Sequence, residues 1–109
     1  MLKFSMLSAK TGSNFEAIMK RIVSGELNAK CISLVTFAGS KVAEVANKYE
    51  VPVRLIEGDN LLSILQSDSP DLVVMSGYMR KIPESVLEHF ENKIINIHPA
   101  LLPSFGGKG

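Results

Sequence analysis

The chain has 109 residues, of which 46% are hydrophobic and 21% charged, and its net charge is +1. This length and composition are typical of one globular domain, and we treat residues 1–109 as a single one. Its 12 basic and 11 acidic residues are interspersed, so we expect no nucleic-acid partner. No apolar run reaches the roughly 18 residues of a membrane span, which indicates a cytoplasmic protein.

The lone cysteine, Cys31, lies in an apolar run. A single cysteine cannot form an internal disulfide, which favours a reducing compartment. Because nothing nearby would lower its pKa, we interpret Cys31 as a buried strand residue, not a nucleophile.

Five short apolar runs alternate with patterns of helical spacing along the chain. The runs predict strands at Leu2–Leu7, Cys31–Phe37, Pro52–Ile56, Leu72–Met75 and Ile94–Ile97. The intervening stretches predict helices with apolar stripes at Phe15–Val23, Val42–Tyr49, Leu61–Leu65 and Val86–Phe90. Apolar strands alternating with helices indicate an α/β fold, a doubly wound, mostly parallel Rossmann-like sheet.

Helix boundaries follow from local signals. Gly25 is expected to close the first helix, and Ser40 to be the N-cap of the second. Asp59 or Asn60 would cap the third, and Pro83 would take the first position of the fourth.

Polar and glycine-rich segments follow three of the predicted strands, where ligands bind in a parallel sheet. The first, Gly12-Ser13-Asn14, opens a helix, and amides at a helix start bind anions such as phosphate. Alternatively, Ser13 is only an N-cap. The segment lacks the glycine spacing of dinucleotide-binding folds and the Gly-Lys-Ser/Thr of a P-loop, which disfavours NAD and ATP.

The second segment places Asn96 and His98 two residues apart at the end of the fifth strand, on the same side of it. An amide can stabilise an oxyanion, and a histidine can exchange a proton near neutral pH. No serine or cysteine is placed as a nucleophile, so the pair suits direct acyl transfer to an amine. A purely structural role for the pair is the alternative. We interpret His89, among helical glutamates, as solvated.

The third segment, Gly77-Tyr78-Met79-Arg80, leaves the fourth strand. Tyr78 and Met79 could line an apolar pocket. Arg80 could bind a carboxylate or phosphate, or it could simply lie over apolar surface. The segment alone leaves both open.

Together, residues 70–80 and 94–103 resemble the folate-dependent formyltransferases. The Asn-x-His-Pro segment with its Leu-Leu-Pro continuation is shared across that family. Gly-Tyr-Met-Arg and the phosphate loop Gly12-Ser13-Asn14 narrow the resemblance to the branch that formylates glycinamide ribonucleotide in purine biosynthesis.

The resemblance implies a role for each matching residue. Asn96 would donate to the formyl oxygen, and His98 would assist proton transfer. Gly12, Ser13 and Asn14 would bind the ribonucleotide phosphate, and Met79 and Pro99 would border the glycinamide. Arg80 and Ile82 would border the pterin of the co-substrate 10-formyltetrahydrofolate. No metal is implied.

Three departures from the family pattern are present. Lys10 replaces a glycine beside the phosphate loop, where it would crowd the turn or add a phosphate contact. The span 56–69 is short and lacks a common arginine. The chain also stops at Gly109, before the family's catalytic aspartate. We therefore expect an N-terminal substrate-binding domain without its C-terminal half, and an inactive fragment.

Two other functions stay open. One is a folate-dependent formyltransferase acting on a sugar nucleotide or on methionyl-tRNA. The other is a non-catalytic module that binds a phosphate ligand. Exposed strand edges would also allow self-association, so a homo-oligomer stays possible.

Overall fold

The computed structural model describes residues 1–78 and 80–97. It contains strands β1 to β5 at Leu2–Leu7, Ala29–Thr36, Val53–Leu55, Leu72–Ser76 and Ile94–Ile97. Helices α1 to α4 span Ser13–Val23, Val42–Lys48, Leu61–Asp68 and Glu84–His89. All strand pairs are parallel, in the order β3-β2-β1-β4-β5. The predicted doubly wound α/β fold is confirmed.

Each face of the sheet is covered by two helices. On one face, Phe15 and Met19 of α1 and Val42 and Ala46 of α2 pack against the central strands. On the other face, α3 and α4 cover a second apolar cluster that includes Val35 and Val73 of the sheet. Burial on both faces explains why the strands are apolar along their length.

A register shift between Phe4 and Ser5 marks the pairing of β1 with β2. Phe4 lies opposite Cys31, but Ser5 lies opposite Ser33, so β2 carries one extra residue, Ile32. The buried hydroxyls of Ser5 and Ser33 are 2.7 Å apart and share a hydrogen bond. Each hydroxyl is thus satisfied inside the sheet, where an unpaired one would be costly.

Two of the four predicted helix boundaries are off by one residue. Lys41, not Ser40, is the N-cap of α2. Asn60 does occupy the N-cap of α3, but its Oδ1 accepts the Glu57 amide at 2.8 Å instead of capping the helix. Pro83 lies one position before its predicted place, at the N-cap of α4. Gly25, with φ of +88°, does follow the end of α1.

Residues 1–78 and 80–97 include no helix with the length and hydrophobicity to cross a bilayer.

Candidate functional site

The candidate site lies where the order in which strands are added to the sheet reverses, between β1 and β4. From β1 the chain builds outward through β2 and β3, and then it returns to add β4 and β5 on the opposite side. The loops that leave β1 and β4 therefore diverge at their carboxyl ends, which is where ligands bind in such sheets. A small concavity of about 80 Å³ lies between residues 8–14 after β1 and the pair Ser76 and Gly77 at the end of β4.

Gly12 brings the first loop close to α2. It is the N-cap of α1, in the left-handed conformation with φ of +90°. A Cβ at this position would lie 2.9 Å from Val42 Cγ2. The Val42 amide also donates to the Lys10 carbonyl at 3.1 Å. Both the backbone conformation and the lack of space therefore require glycine here.

The opening turn of α1 leaves backbone amides available to a ligand. Gly12 has no side chain with which to cap them, and the first intrahelical bond runs from the Glu16 amide to the Gly12 carbonyl at 2.8 Å. The amides of residues 13–15 thus precede the hydrogen-bonded ladder. Ser13 is the first helical residue, so the interpretation of Ser13 as a simple N-cap is wrong.

Asn14 joins the helix start to the neighbouring strand. Its Nδ2 donates to Ser76 Oγ at 3.0 Å, between α1 and the end of β4. Both residues also line the concavity. The bond fixes the orientation of the first turn of α1, and so of its amides, relative to β4.

Lys10 forms another wall of the same concavity. Its Cγ and Cβ lie 3.1 and 3.2 Å from the place where a Gly77 Cβ would be, and Gly77 has φ of +67°. Because Gly77 lacks a side chain, the stem of Lys10 can lie against its backbone.

Arg80 lies in an aromatic cluster with Phe37 and Tyr78. Its guanidinium carbon is 4.6 Å from the centre of the Phe37 ring. Tyr78 stacks on Phe37, with ring centres 5.9 Å apart and planes inclined by 7°. Burial raises the pKa of the Tyr78 hydroxyl, and Arg80 opposes that shift. Phe37 was not predicted as a site residue from the sequence. Its position directly after β2 could have indicated it, because the other predicted site residues also lie at strand ends.

A second, open concavity of about 330 Å³ lies beside this cluster, and Lys10, Phe37, Ser40, Gly77 and Arg80 contribute to its lining. Of the two residues expected near the pterin, Arg80 borders this space. Ile82 is half-buried and packs against the apolar cluster under α3 and α4.

Asn96 lies on β5, exposed, and pairs with Met75 of β4. Strand β4 lies between Asn96 on β5 and strand β1, which leads into the loop that contains Gly12. His98, Met79 and Pro99 lie outside the described residues, so their predicted roles stay predictions.

Two interpretations of single residues are confirmed. Cys31 is buried, and burial raises the pKa of its thiol to about 12. His89 is exposed on α4, with its ring edge-on to Phe90 at 4.8 Å.

The chain matches the family model described as "Formyl transferase" over residues 2–109. It belongs to the formyl transferase family. Its curated relatives include phosphoribosylglycinamide formyltransferases of Bacillus subtilis, 34% identical over 98% of the chain and 60% of the relative, and of Arabidopsis chloroplasts, 33% identical over 98% and 41%. The chain thus spans about half the length of these formyl transferases.

Solved formyl transferase structures agree with the fold. Glycinamide ribonucleotide transformylase 1 of Geobacillus kaustophilus superposes with a TM-score of 0.84 at 34% identity, and the match covers 99% of this chain and 63% of that one. The described part of the chain therefore has the Rossmann-like architecture of the family's N-terminal region.

Proposed function

We propose that the protein transfers a formyl group from 10-formyltetrahydrofolate to the amine of glycinamide ribonucleotide, a step of purine biosynthesis. The observation that carries this proposal is the helix start at Gly12, whose amides open on the concavity between β1 and β4. An amide-lined helix start suits the phosphate of a ribonucleotide. Relatives named for the same transfer support the choice of substrate.

In this proposal the phosphate anchors the substrate at Gly12, Ser13 and Asn14. The Asn14–Ser76 bond holds these groups in a fixed relation to β4. A ligand fixed at its phosphate loses freedom before the reaction begins, so the amine at its other end meets the formyl donor in one geometry. Met79 and Pro99 would border the glycinamide.

The pterin of 10-formyltetrahydrofolate would lie near Arg80 and Ile82. Contact with Phe37 restricts the Arg80 guanidinium, which makes it a pre-organised group at the edge of an open concavity. Residues 1–109 would thus form the substrate-binding domain of the enzyme, which we place in the cytoplasm.

The chemistry is a direct acyl transfer. The amine nitrogen attacks the formyl carbon, and the carbonyl π electrons move to oxygen, which becomes an oxyanion. Asn96 would donate a hydrogen bond to that oxygen, which stabilises the charge where it develops. When the oxyanion collapses, the bond from carbon to N10 of the folate breaks. His98 would help to carry the proton from the attacking amine to the departing N10.

An acceptor comparison tests the proposal. The product of the complete natural gene is supplied with 10-formyltetrahydrofolate and, separately, with glycinamide ribonucleotide, an amino-sugar nucleotide or methionyl-tRNA. We expect formylation of glycinamide ribonucleotide alone. Formylation of another acceptor in its place would assign the protein to a different branch of the family. Phosphate binding without any transfer would favour a non-catalytic module.

A further inference from the structure

We propose that Lys10 is a direct ligand of the substrate phosphate, in addition to the amides that open α1. The inference rests on the proposed function, because it assigns a residue to that phosphate site. Lys10 lies in the loop between β1 and α1 and lines the small concavity together with Gly12, Ser13 and Asn14.

Two contacts position Lys10. Its carbonyl accepts the Val42 amide at 3.1 Å, which ties its backbone to the start of α2. Its stem lies against Gly77, with Cγ 3.1 Å from the place of an added Cβ. A lysine whose methylenes already pack against the main chain loses less rotamer entropy when its ammonium binds a ligand.

The charge of Lys10 is available for an anion. The ion pairs among residues 1–78 and 80–97 join Lys48 to Glu16 and Arg54 to Asp68, and neither includes Lys10. Among the described residues that line the small concavity, none is a carboxylate. The Lys10 side chain thus borders the same concavity as the positive end of α1, and neither of the ion pairs in the described part of the chain engages it.

The ligand chemistry that fits is a phosphate monoester. Such a group carries between one and two negative charges at neutral pH and has three acceptor oxygens. It can accept from the amides of α1 and from an ammonium at the same time. A carboxylate, with two oxygens and one charge, would offer these donors fewer acceptor oxygens and less negative charge.

The same geometry argues against a crowded turn. Gly77 provides the space that the Lys10 stem occupies, and Lys10 forms a wall of the concavity without filling it. Gly77 would therefore be as important for placing the ammonium as for the path of the loop after β4.

Phosphate titrations of purified variants test this role. Inorganic phosphate and then ribose 5-phosphate are added to the wild type and to Lys10→Met, which keeps the stem but removes the charge. Amide NMR shifts of residues 12–14 report binding. We expect binding about tenfold weaker in Lys10→Met, since a hydrogen bond to a charged group is lost. Lys10→Arg should restore most of the affinity.

Lys41→Met is the matched control. Lys41 lines a third concavity, which is formed by residues 9–11 and 38–41 and so includes Lys10, but it does not line the small one. Its loss changes the net charge equally. We expect its phosphate affinity to equal that of the wild type. An equal loss of phosphate affinity in both variants would show that Lys10 acts only through the overall positive charge, and it would overturn the proposal.

Two further outcomes would overturn it: wild-type affinity in Lys10→Met, or no phosphate binding by the wild type. Lys10→Gln provides a second uncharged variant if Lys10→Met folds poorly. The titrations involve no formyl transfer, so a failure of the proposed activity is scored separately in the acceptor assay.

Discussion

Asn14 and Ser76 are 62 positions apart in the chain, yet the Asn14 amide group donates to the Ser76 hydroxyl at 3.0 Å. This bond connects the first turn of α1 to the last residue of β4, across the point where the sheet changes direction. The orientation of the first turn of α1 thus depends on a residue of β4.

The two residues should be energetically coupled. Urea denaturation of Asn14→Ala, Ser76→Ala and the double variant forms a complete cycle. We expect a coupling of about 1 kcal/mol, the usual net value of a hydrogen bond. Strictly additive losses would show that the bond contributes nothing to stability. In a phosphate titration, Ser76→Ala should bind less tightly than the wild type, because its Asn14 is no longer held.

Gly12 should tolerate substitution less well than a glycine of similar backbone conformation in open space. Gly39 has φ of +84°, and no atom of residues 1–78 and 80–97 lies within 4 Å of an added Cβ. A Cβ added at Gly12 would instead lie 2.9 Å from Val42. We expect Gly39→Ala to cost about 1 kcal/mol, from backbone strain alone. Gly12→Ala should cost clearly more and should weaken phosphate binding. Equal melting temperatures for the two variants would contradict the close approach of the loop to α2.

Lys48 should control the ionisation of Glu16. A 2.7 Å hydrogen bond from Lys48 is the main cause that lowers the pKa of the Glu16 carboxyl. A carboxyl whose pKa is lower in the folded than in the unfolded state adds stability above its unfolded pKa, and this stability is lost as the pH falls.

Carboxyl NMR titration of Lys48→Met should therefore show the Glu16 pKa rising towards its ordinary value. The dependence of stability on acid pH should flatten as well. Lys41→Met serves as the control and should leave the Glu16 titration as it is in the wild type. An unchanged Glu16 pKa in Lys48→Met would exclude the ion pair in solution.

Cys31 should be protected from thiol reagents. With a pKa of about 12 and a buried side chain, the thiol stays protonated and covered near pH 8, and the thiolate is the reactive form. Ellman's reagent should label Cys31 only when denaturant unfolds the protein. Ser85→Cys, at an exposed position of α4, should add one thiol that reacts at once. Fast labelling of the folded wild type would contradict the burial of Cys31.

Asn96 is expected to act on the transition state. In the complete gene product, Asn96→Ala should lower kcat roughly 100-fold, the usual effect of losing one oxyanion donor. KM should change little, because the interaction strengthens only as charge develops. His98→Ala should act similarly, and the two losses should not add. A folded Asn96→Ala variant with normal turnover but a lower melting temperature would assign the residue a structural role instead.

The fold could be predicted because each element carries its own local pattern. The apolar runs predicted both ends of β1 and β5 correctly. Strand β2 begins at Ala29, two residues before its predicted start. Helix caps were harder, since a polar side chain near a helix start has several possible partners. Asn60 takes the Glu57 amide, a choice that the sequence does not reveal.

The loop after β1 was predictable for a similar reason, because Gly12 and the helix that follows are adjacent in sequence. The partners of Arg80 were not. Its guanidinium lies over Phe37, which comes from the end of β2, far away in the chain. Only the strand order brings the two together, and that order is a property of the folded sheet.

The hydroxyl pair inside the sheet makes two distant positions dependent on each other. Ser5→Ala alone would leave the Ser33 hydroxyl without the partner that it has at 2.7 Å, and Ser33→Ala would do the same to Ser5. Replacing both by alanine removes the polar groups together and should cost less than the sum of the single changes. Substitutions at Ser5 and Ser33 should therefore be tolerated better together than singly. A library that varies Ser5 alone would contain mostly destabilised proteins.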